Sequence, residues 1–475
     1  MTLSGDWEMV VGLEVHTELL TKSKLFCGCA NHFGSEPNTN ICPVCLGLPG
    51  SLPVLNREAV DFAMRIGMAL HSTIAPSTFH RKNYFYPDQS KDYQISQYDL
   101  PINSGGYLDL LDGSRVSIER AHMEEDTGKS THLGGSGRLA GAVSSLVDYN
   151  RCGVPLVEIV SGPDIRSATQ ARAYAAELRG ILMATGASDG RLEEGSMRFD
   201  ANVSVRKSGE PFGTRCEIKN LNSLRSLQRA IDYEALRQIE LLEGGGVVRQ
   251  ETRHWDENLG ETSTLRVKED ADDYRYFRDP DLVDLAPDQA WQDRVRAALP
   301  AMPAQRRADV VALLSAPSSP QLDAVEVVID LGLERYVHAV VAASGDAALA
   351  VARVANELAA DVEHVANLST DAFVATVLME QRGELSATQA KTVLGALLAD
   401  GGEPREIAAA MGFEQLSADS LGSTVASLID AHPDEWGRYR EGDEKLAQFF
   451  IGQVMKLTRG QANGKAVIAE LQARR

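Results

Sequence analysis

Cys27, Cys29, Cys42 and Cys45 stand as C-x-C, twelve residues, then C-x-x-C. In that spacing two short thiol pairs can each grip two corners of one tetrahedral ion. The predicted chemistry is a closed, structural Zn²⁺ site, because four thiolates leave no open position for a substrate. The surrounding FCGCANHFGSEPNTNICPVCLGLPG is rich in turn residues and poor in apolar mass, so it needs a cross-link to hold a shape. Four unlinked thiols, or two disulfides in an exported protein, are the competing explanations, and the clustered spacing favours metal. A second chemistry is carried by carboxylates. In WEMVVGLEVHTEL, Met9, Val11, Leu13 and Val15 alternate with a set that carries Glu14, His16 and Glu18. Side chains two apart on a strand share a face at about 7 Å, within reach of one ion or its water shell. A half-exposed edge strand with solvated charges is the plainer alternative.

The pattern recurs. In FDANVSVR, Asp200, Asn202, Ser204 and Arg206 oppose Ala201, Val203 and Val205; in TRCEIKN, Arg215, Glu217 and Lys219 oppose Cys216 and Ile218. ERAHMEEDTGKS sets Glu124, Glu125 and Asp126 beside His122, and periodicity leaves open which of the two glutamates faces the others, because the segment ends in a turn. Several strands with such polar faces predict an antiparallel sheet with a polar site. Carboxylates plus one imidazole suit a hard divalent cation, Mg²⁺ carrying a nucleotide. Asp126-Thr-Gly-Lys-Ser130 resembles the end of a phosphate-binding loop, but Met123 stands where the first glycine must be and three acids would repel phosphate. The stretch from 81 to 102 interleaves aromatics with polar groups, as both ordinary cores and substrate channels do.

The elements that must position these residues fall into two textures. Residues 1 to about 280 are punctuated by Gly and Pro around short alternating segments, with one long helix expected over Leu224–Glu243. Beyond about 290 the chain turns to Ala, Leu, Val and Glu with helical periodicity, broken again near Ala399–Pro404. At 475 residues the chain has room for two or three domains. The expected divisions are 1–292, 293–400 and 401–475. No signal peptide and no membrane span is expected, and six cysteines with four clustered for metal fit a reducing cytoplasm. A net charge of −20 argues against indiscriminate coating of nucleic acid. The last twenty residues reverse the sign, with five Lys/Arg against one Glu from Lys456 onward, a candidate RNA contact.

VVGLEVHTEL, FCGC, CPVCLGLPG, RKNYFYPD, YQISQYDLPI, HMEEDTGK, EEGSMRFDANVSVR, GTRCEIKNLNS and GQVMKLTRGQANGKAV together resemble the B-subunit family of bacterial aspartyl/glutamyl-tRNA amidotransferases, over nearly the whole chain. The resemblance implies an α+β cradle similar to glutamine synthetase and the guanidino kinases over 1–292, a helical domain over 293–400, and a YqeY-like tRNA-binding tail over 401–475. It implies phosphorylation of the side-chain carboxylate of Glu-tRNA(Gln) or Asp-tRNA(Asn) by ATP and Mg²⁺. Amidation follows, with ammonia that an A subunit makes from glutamine, while a small C subunit straps the other two together. By motif, Glu14, His16, Glu125, Asp200 and Glu217 are implied as the catalytic metal and nucleotide-phosphate site, Lys82, Tyr84 and Tyr86 as part of the ammonia path, and the four cysteines as the zinc knuckle of many members. Gly162, Thr127 and Arg278 depart from the family's usual residues, and the glycine-rich 133–142 is longer than common; none is a proposed ligand. A free-standing ammonia-using ligase and a non-catalytic zinc-knuckle tRNA-binding scaffold are the rival readings. The second would leave Glu14, Asp200 and Glu217 unexplained. A related archaeal protein, the E subunit specific for tRNA(Gln), carries an inserted domain for which this length has no room.

Overall fold

The structure, a computed structural model, describes residues 5–134, 141–267, 274–413, 418–458, 462 and 464–475. Most of the glycine-rich 133–142 therefore lies outside the described residues. The chain divides into two units, Met1–Met302 and Pro303–Arg475.

The first unit contains strands β1 (Trp7–Glu18), β2 (Thr73–Ile74), β3 (His80–Asn83), β4 (Tyr93–Ser96), β5 (Asn103–Ser104), β6 (Tyr107–Asp109), β7 (Arg115–Glu125), β8 (Lys129–Leu133), β9 (Ser144–Asp148), β10 (Pro155–Ser161), β11 (Met197–Lys207), β12 (Cys216–Leu221), β13 (Glu251–Asp256), β14 (Glu261–Val267) and β15 (Phe277–Arg278). Its helices are α1 (Arg57–Ala69), α2 (Ala168–Ala184), α3 (Leu224–Glu243) and α4 (Gln289–Ala297). The main sheet runs β14-β13-β12-β11-β1-β10-β7-β4-β3-β15. β1 lies near its middle, antiparallel to both β11 and β10.

The sheet is mixed, which corrects the antiparallel expectation: β12 pairs β13 in parallel. The cause is α3. A twenty-residue crossover helix between two neighbouring strands returns the chain in the same direction, which no hairpin can do. Ser223 caps α3 by accepting from the Ser226 amide, and its Leu227, Ala230, Ile231, Ala235 and Ile239 are buried at helical spacing. These join Val11, Leu13, Val15, Val157, Ile159, Phe199, Ala201 and Val203 from the sheet in one apolar core. Alternation along β1, β10 and β11 then forces Glu14, His16, Glu158, Arg198, Asp200 and Asn202 onto the opposite face.

α4 is held on α1: Trp291 Nε1 donates to Asp61 Oδ1 at 2.5 Å, and the Arg57 guanidinium lies 4.9 Å over the Trp291 ring. The first unit therefore runs on to Met302, past the 292 expected from sequence. The second unit is helical among its described residues and contains two apolar cores, one drawn from Val310–Ala408 and one from Leu421–Leu471. Among the described residues no helix is long and apolar enough to cross a membrane.

Candidate active site

Strand register brings together residues far apart in sequence. Glu14 stands opposite Asp200, and Asn202 opposite Glu217, so carboxylates from β1, β11 and β12 meet on the polar face. One oxygen from each of Glu14, Asp200 and Glu217 lies within 4.8 Å of the other two, which fits a single divalent cation. Asn202 Nδ2 donates to Glu14 Oε1 at 2.9 Å and Thr252 Oγ1 to Glu217 Oε2 at 3.1 Å. Lys219 Nζ bridges Asp200 Oδ2 at 2.6 Å and Glu217 Oε1 at 3.0 Å. Burial, then the charges of Glu158, Glu217 and Asp200, raise the Glu14 carboxyl above its usual range. Lowering that cost is what a bound cation would do.

A second cluster lies beside the first, one strand over. His16, Glu124 and Glu158 also offer ligand atoms within 4.8 Å of one another. Their register is set by β1, β10 and β7, with Glu158 opposite both His16 and His122. His122 Nε2 lies 3.3 Å from both Glu124 Oε1 and Glu158 Oε2. Burial disfavours an imidazolium there, but Glu158 and then Glu124 outweigh it and hold His122 up at about 9. The reciprocal effect lowers Glu158 well below the usual carboxylate range, against its own burial, through His122, His16 and Lys82. Ser96 Oγ donates to Glu124 Oε1 at 2.7 Å, and Gln94 Nε2 to Glu124 Oε2 at 3.2 Å. Further along the face, burial and the Asp126 charge push Glu18 up to about 7.

Glu125 is elsewhere. With Ala121 and Met123 it occupies the other face of β7, where its carboxylate pairs with Lys91 and accepts the Ile95 amide at 2.9 Å. Of the neighbouring pair, Glu124 is the one on the polar face, and Glu158 joins where Glu125 was expected. Sequence reading missed Glu158, although a lone carboxylate inside the apolar Val154–Val160 was a usable signal.

A cleft of about 440 Å³ reaches both clusters, through Asp200 of the first and His16 and Glu124 of the second. His16, Glu124, Asp126 and Asp200 line it together with the cationic Lys82, Arg198 and Lys219. Tyr84 lines it too, stacked 4.7 Å from Tyr86, and Lys82 Nζ sits 4.9 Å over the Tyr274 ring. Against its burial, Glu124, Tyr276 and Glu158 keep the Lys82 ammonium charged beyond its ordinary range. Asp126-Thr-Gly leads into β8, a strand rather than the helix a phosphate loop requires. Burial pushes the Cys152 and Cys216 thiols up to about 12, the reverse of an activated nucleophile.

The four clustered cysteines converge. Cys45 Sγ lies 3.5 Å from Cys27 Sγ, 3.5 Å from Cys42 Sγ and 3.6 Å from Cys29 Sγ. A tetrahedral Zn²⁺ with bonds of about 2.3 Å needs sulfurs about 3.8 Å apart, so the set fits with small outward shifts. Cys45 is drawn down to about 4 by the Cys27 thiol that donates to it and, against burial, by the ammonium of Lys24. Lys24 is fully buried, with Nζ 3.7 Å from Cys45 Sγ and donating to the Asn40 carbonyl at 3.0 Å.

Residues 9–293 match the family model described as GatB/GatE catalytic domain, and residues 335–474 match the one described as GatB domain. Among curated relatives, the B subunit of the aspartyl/glutamyl-tRNA(Asn/Gln) amidotransferase of Moorella thermoacetica is 47% identical, with 96% of this chain and 97% of the relative covered. One of the same name from a Mycobacterium species is 49% identical, with 97% and 95% covered. Coverage of both domains at this identity leaves no other assignment: the chain belongs to the B-subunit family of the aspartyl/glutamyl-tRNA(Asn/Gln) amidotransferases.

Proposed function

We propose that the protein works as its relatives are named, as the B subunit of a tRNA-dependent amidotransferase in the cytoplasm. A side-chain carboxylate oxygen of Glu-tRNA(Gln) or Asp-tRNA(Asn) attacks the γ-phosphorus of ATP. The bond to the β–γ bridging oxygen breaks, and its electron pair leaves on ADP. Ammonia then adds to the activated acyl carbon, loses a proton and expels phosphate, leaving Gln-tRNA(Gln) or Asn-tRNA(Asn). The partners are an A subunit that hydrolyses glutamine and a C subunit that straps the two together. The mixed sheet with helices on one face is read as the cradle, and the basic end of the helical unit as the tRNA grip.

The carrying observation is the pair of adjacent carboxylate clusters reached by one cleft, rimmed by Lys82, Arg198 and Lys219. Glu14, Asp200 and Glu217 would hold one Mg²⁺, and His16, Glu124 and Glu158 a second. Bound there, the ions supply charge neutralisation and alignment for phosphoryl transfer. The chain's own residues orient the carboxylates, exclude water beneath the phosphates and present cations to their oxygens. Lys82 and Tyr84 at the cleft wall, with Tyr86 stacked behind, are read as the mouth through which ammonia arrives. The thiolate set is read as a structural Zn²⁺ knuckle.

The test is Asp200→Asn in the assembled complex with misacylated tRNA, ATP and Mg²⁺. ADP and amidated tRNA should form about a hundredfold more slowly, while glutamine hydrolysis continues. Undiminished formation of both products would leave a zinc-knuckle tRNA-binding scaffold as the better reading.

A further inference from the structure

Lys219 has the position of a metal ion. Its Nζ touches Asp200 Oδ2 at 2.6 Å and Glu217 Oε1 at 3.0 Å, two of the three carboxylates that converge within 4.8 Å. Two neutral donors also reach the group, Asn202 to Glu14 and Thr252 to Glu217. An ammonium and a divalent cation cannot both occupy the same carboxylate lone pairs, because the metal needs oxygens at about 2.0–2.6 Å. An ion that takes Asp200 Oδ2 and Glu217 Oε1 therefore displaces Lys219.

It is built to leave. Its side chain is 34% exposed, against 13% for Asp200 and 7% for Glu217, so of the three it is the one open toward the cleft. It also lines the cleft, on a flexible four-carbon stem. We propose that Lys219 is an intramolecular stand-in for the divalent cation. It holds the carboxylates of Asp200 and Glu217 together until the ion arrives, and once displaced it turns its ammonium into the cleft to bind nucleotide phosphate. This rests on the cation-binding reading of Glu14, Asp200 and Glu217 given above. The consequence is a paired opposite effect that a packing role would not produce: the lysine weakens binding of the cation alone and strengthens binding of nucleotide once the cation is in place.

The experiment uses the full-length protein with Mn²⁺ as probe, bound ion being counted by electron paramagnetic resonance without nucleotide. The relevant site is the one that Glu14→Gln abolishes. Lys219→Met and Lys219→Gln should each bind Mn²⁺ there about tenfold more tightly, within the usual range of coupling between sites; Lys219→Arg, which keeps the charge, should not. At saturating Mn²⁺, Lys219→Met should bind a non-hydrolysable ATP analogue about tenfold more weakly. Should Lys219→Met fail to fold, Lys219→Gln carries both comparisons. Unchanged or weaker Mn²⁺ binding in the neutral variants overturns the stand-in, and unchanged nucleotide affinity overturns the turn toward phosphate. If Glu14→Gln removes no bound Mn²⁺, the failure belongs to the cation reading itself.

Discussion

Glu124 and Glu125 are chain neighbours on opposite faces of the sheet, because successive side chains of β7 alternate. Glu124→Gln should lower ADP formation by the assembled complex about a hundredfold, as expected for loss of a metal ligand in phosphoryl transfer. Glu125→Gln should act on stability instead. It breaks a pair in which Lys91 is 8% and Glu125 3% exposed, and stranding one partner of such a pair costs about 3–5 kcal/mol. The expected outcome is a lower urea unfolding midpoint with Mn²⁺ binding retained; the opposite assignment of effects would exchange the two roles. Gly162 is constrained by a close approach from another segment. A Cβ there would stand 2.1 Å from Ser117 Oγ, whose hydroxyl bonds to Asp164, so glycine is the residue that this packing admits.

At the scale of elements, α3 is tied to the sheet by one carboxylate. Glu234 is fully buried, accepts from Arg237 at 2.6 and 2.9 Å and from Thr262 Oγ1 at 2.9 Å, and lies 3.2 Å from Arg253 Nε. Against burial, the bonds from Arg237 and Gln238 and the charge of Arg253 hold it below the usual carboxylate range. Because the folded value is depressed, its stabilisation is fully present above the unfolded value of about 4.3 and is lost as pH falls through the folded one. Glu234→Gln should therefore lower the unfolding midpoint at neutral pH and flatten its fall in acid. An acid profile parallel to that of the unaltered protein would show that Glu234 is not the linkage. The cysteine loop is the other dependent element: its Asn38 and Asn40 bond to Val147, Asp148 and Asn150, but little apolar mass holds it. One zinc per chain is expected by elemental analysis, and its removal by chelator should speed amide exchange across residues 27–48 without unfolding the sheet. No zinc above background, with four free thiols, would refute the knuckle.

For the whole molecule, the two cores of the helical unit decide where the chain can be cut. Ala408 is buried in the earlier core, with Ile407 and Phe413 packed against it, so a cut near 400 would tear that core. Truncation between 413 and 418 removes only the later one. It should weaken tRNA binding, and flatten its salt dependence, because basic residues from Lys456 onward go with it. ATP-dependent activation of the carboxylate at saturating tRNA should survive. Equal tRNA affinity with and without the segment would remove the role assigned to it.

Sequence alone determined what depends on short range. Alternation fixed which face of β1, β11 and β12 carries acids, the C-x-C and C-x-x-C pairs brought four cysteines together, and helical spacing fixed α3 over Leu224–Glu243. The tertiary structure decided what depends on register. Glu158 enters the site because β10 sits between β1 and β7, and periodicity within a strand says nothing about which strand lies beside it. Glu124 was ambiguous because Glu-Glu-Asp-Thr-Gly reads as a turn, whereas pairing with β10 keeps β7 extended through Glu125. The parallel β12–β13 pair follows from where α3 packs, and the bridge of Lys219 between Asp200 and Glu217 from a cross-strand meeting of residues 19 apart in the chain. Each of these is a contact between segments that only the folded sheet makes neighbours.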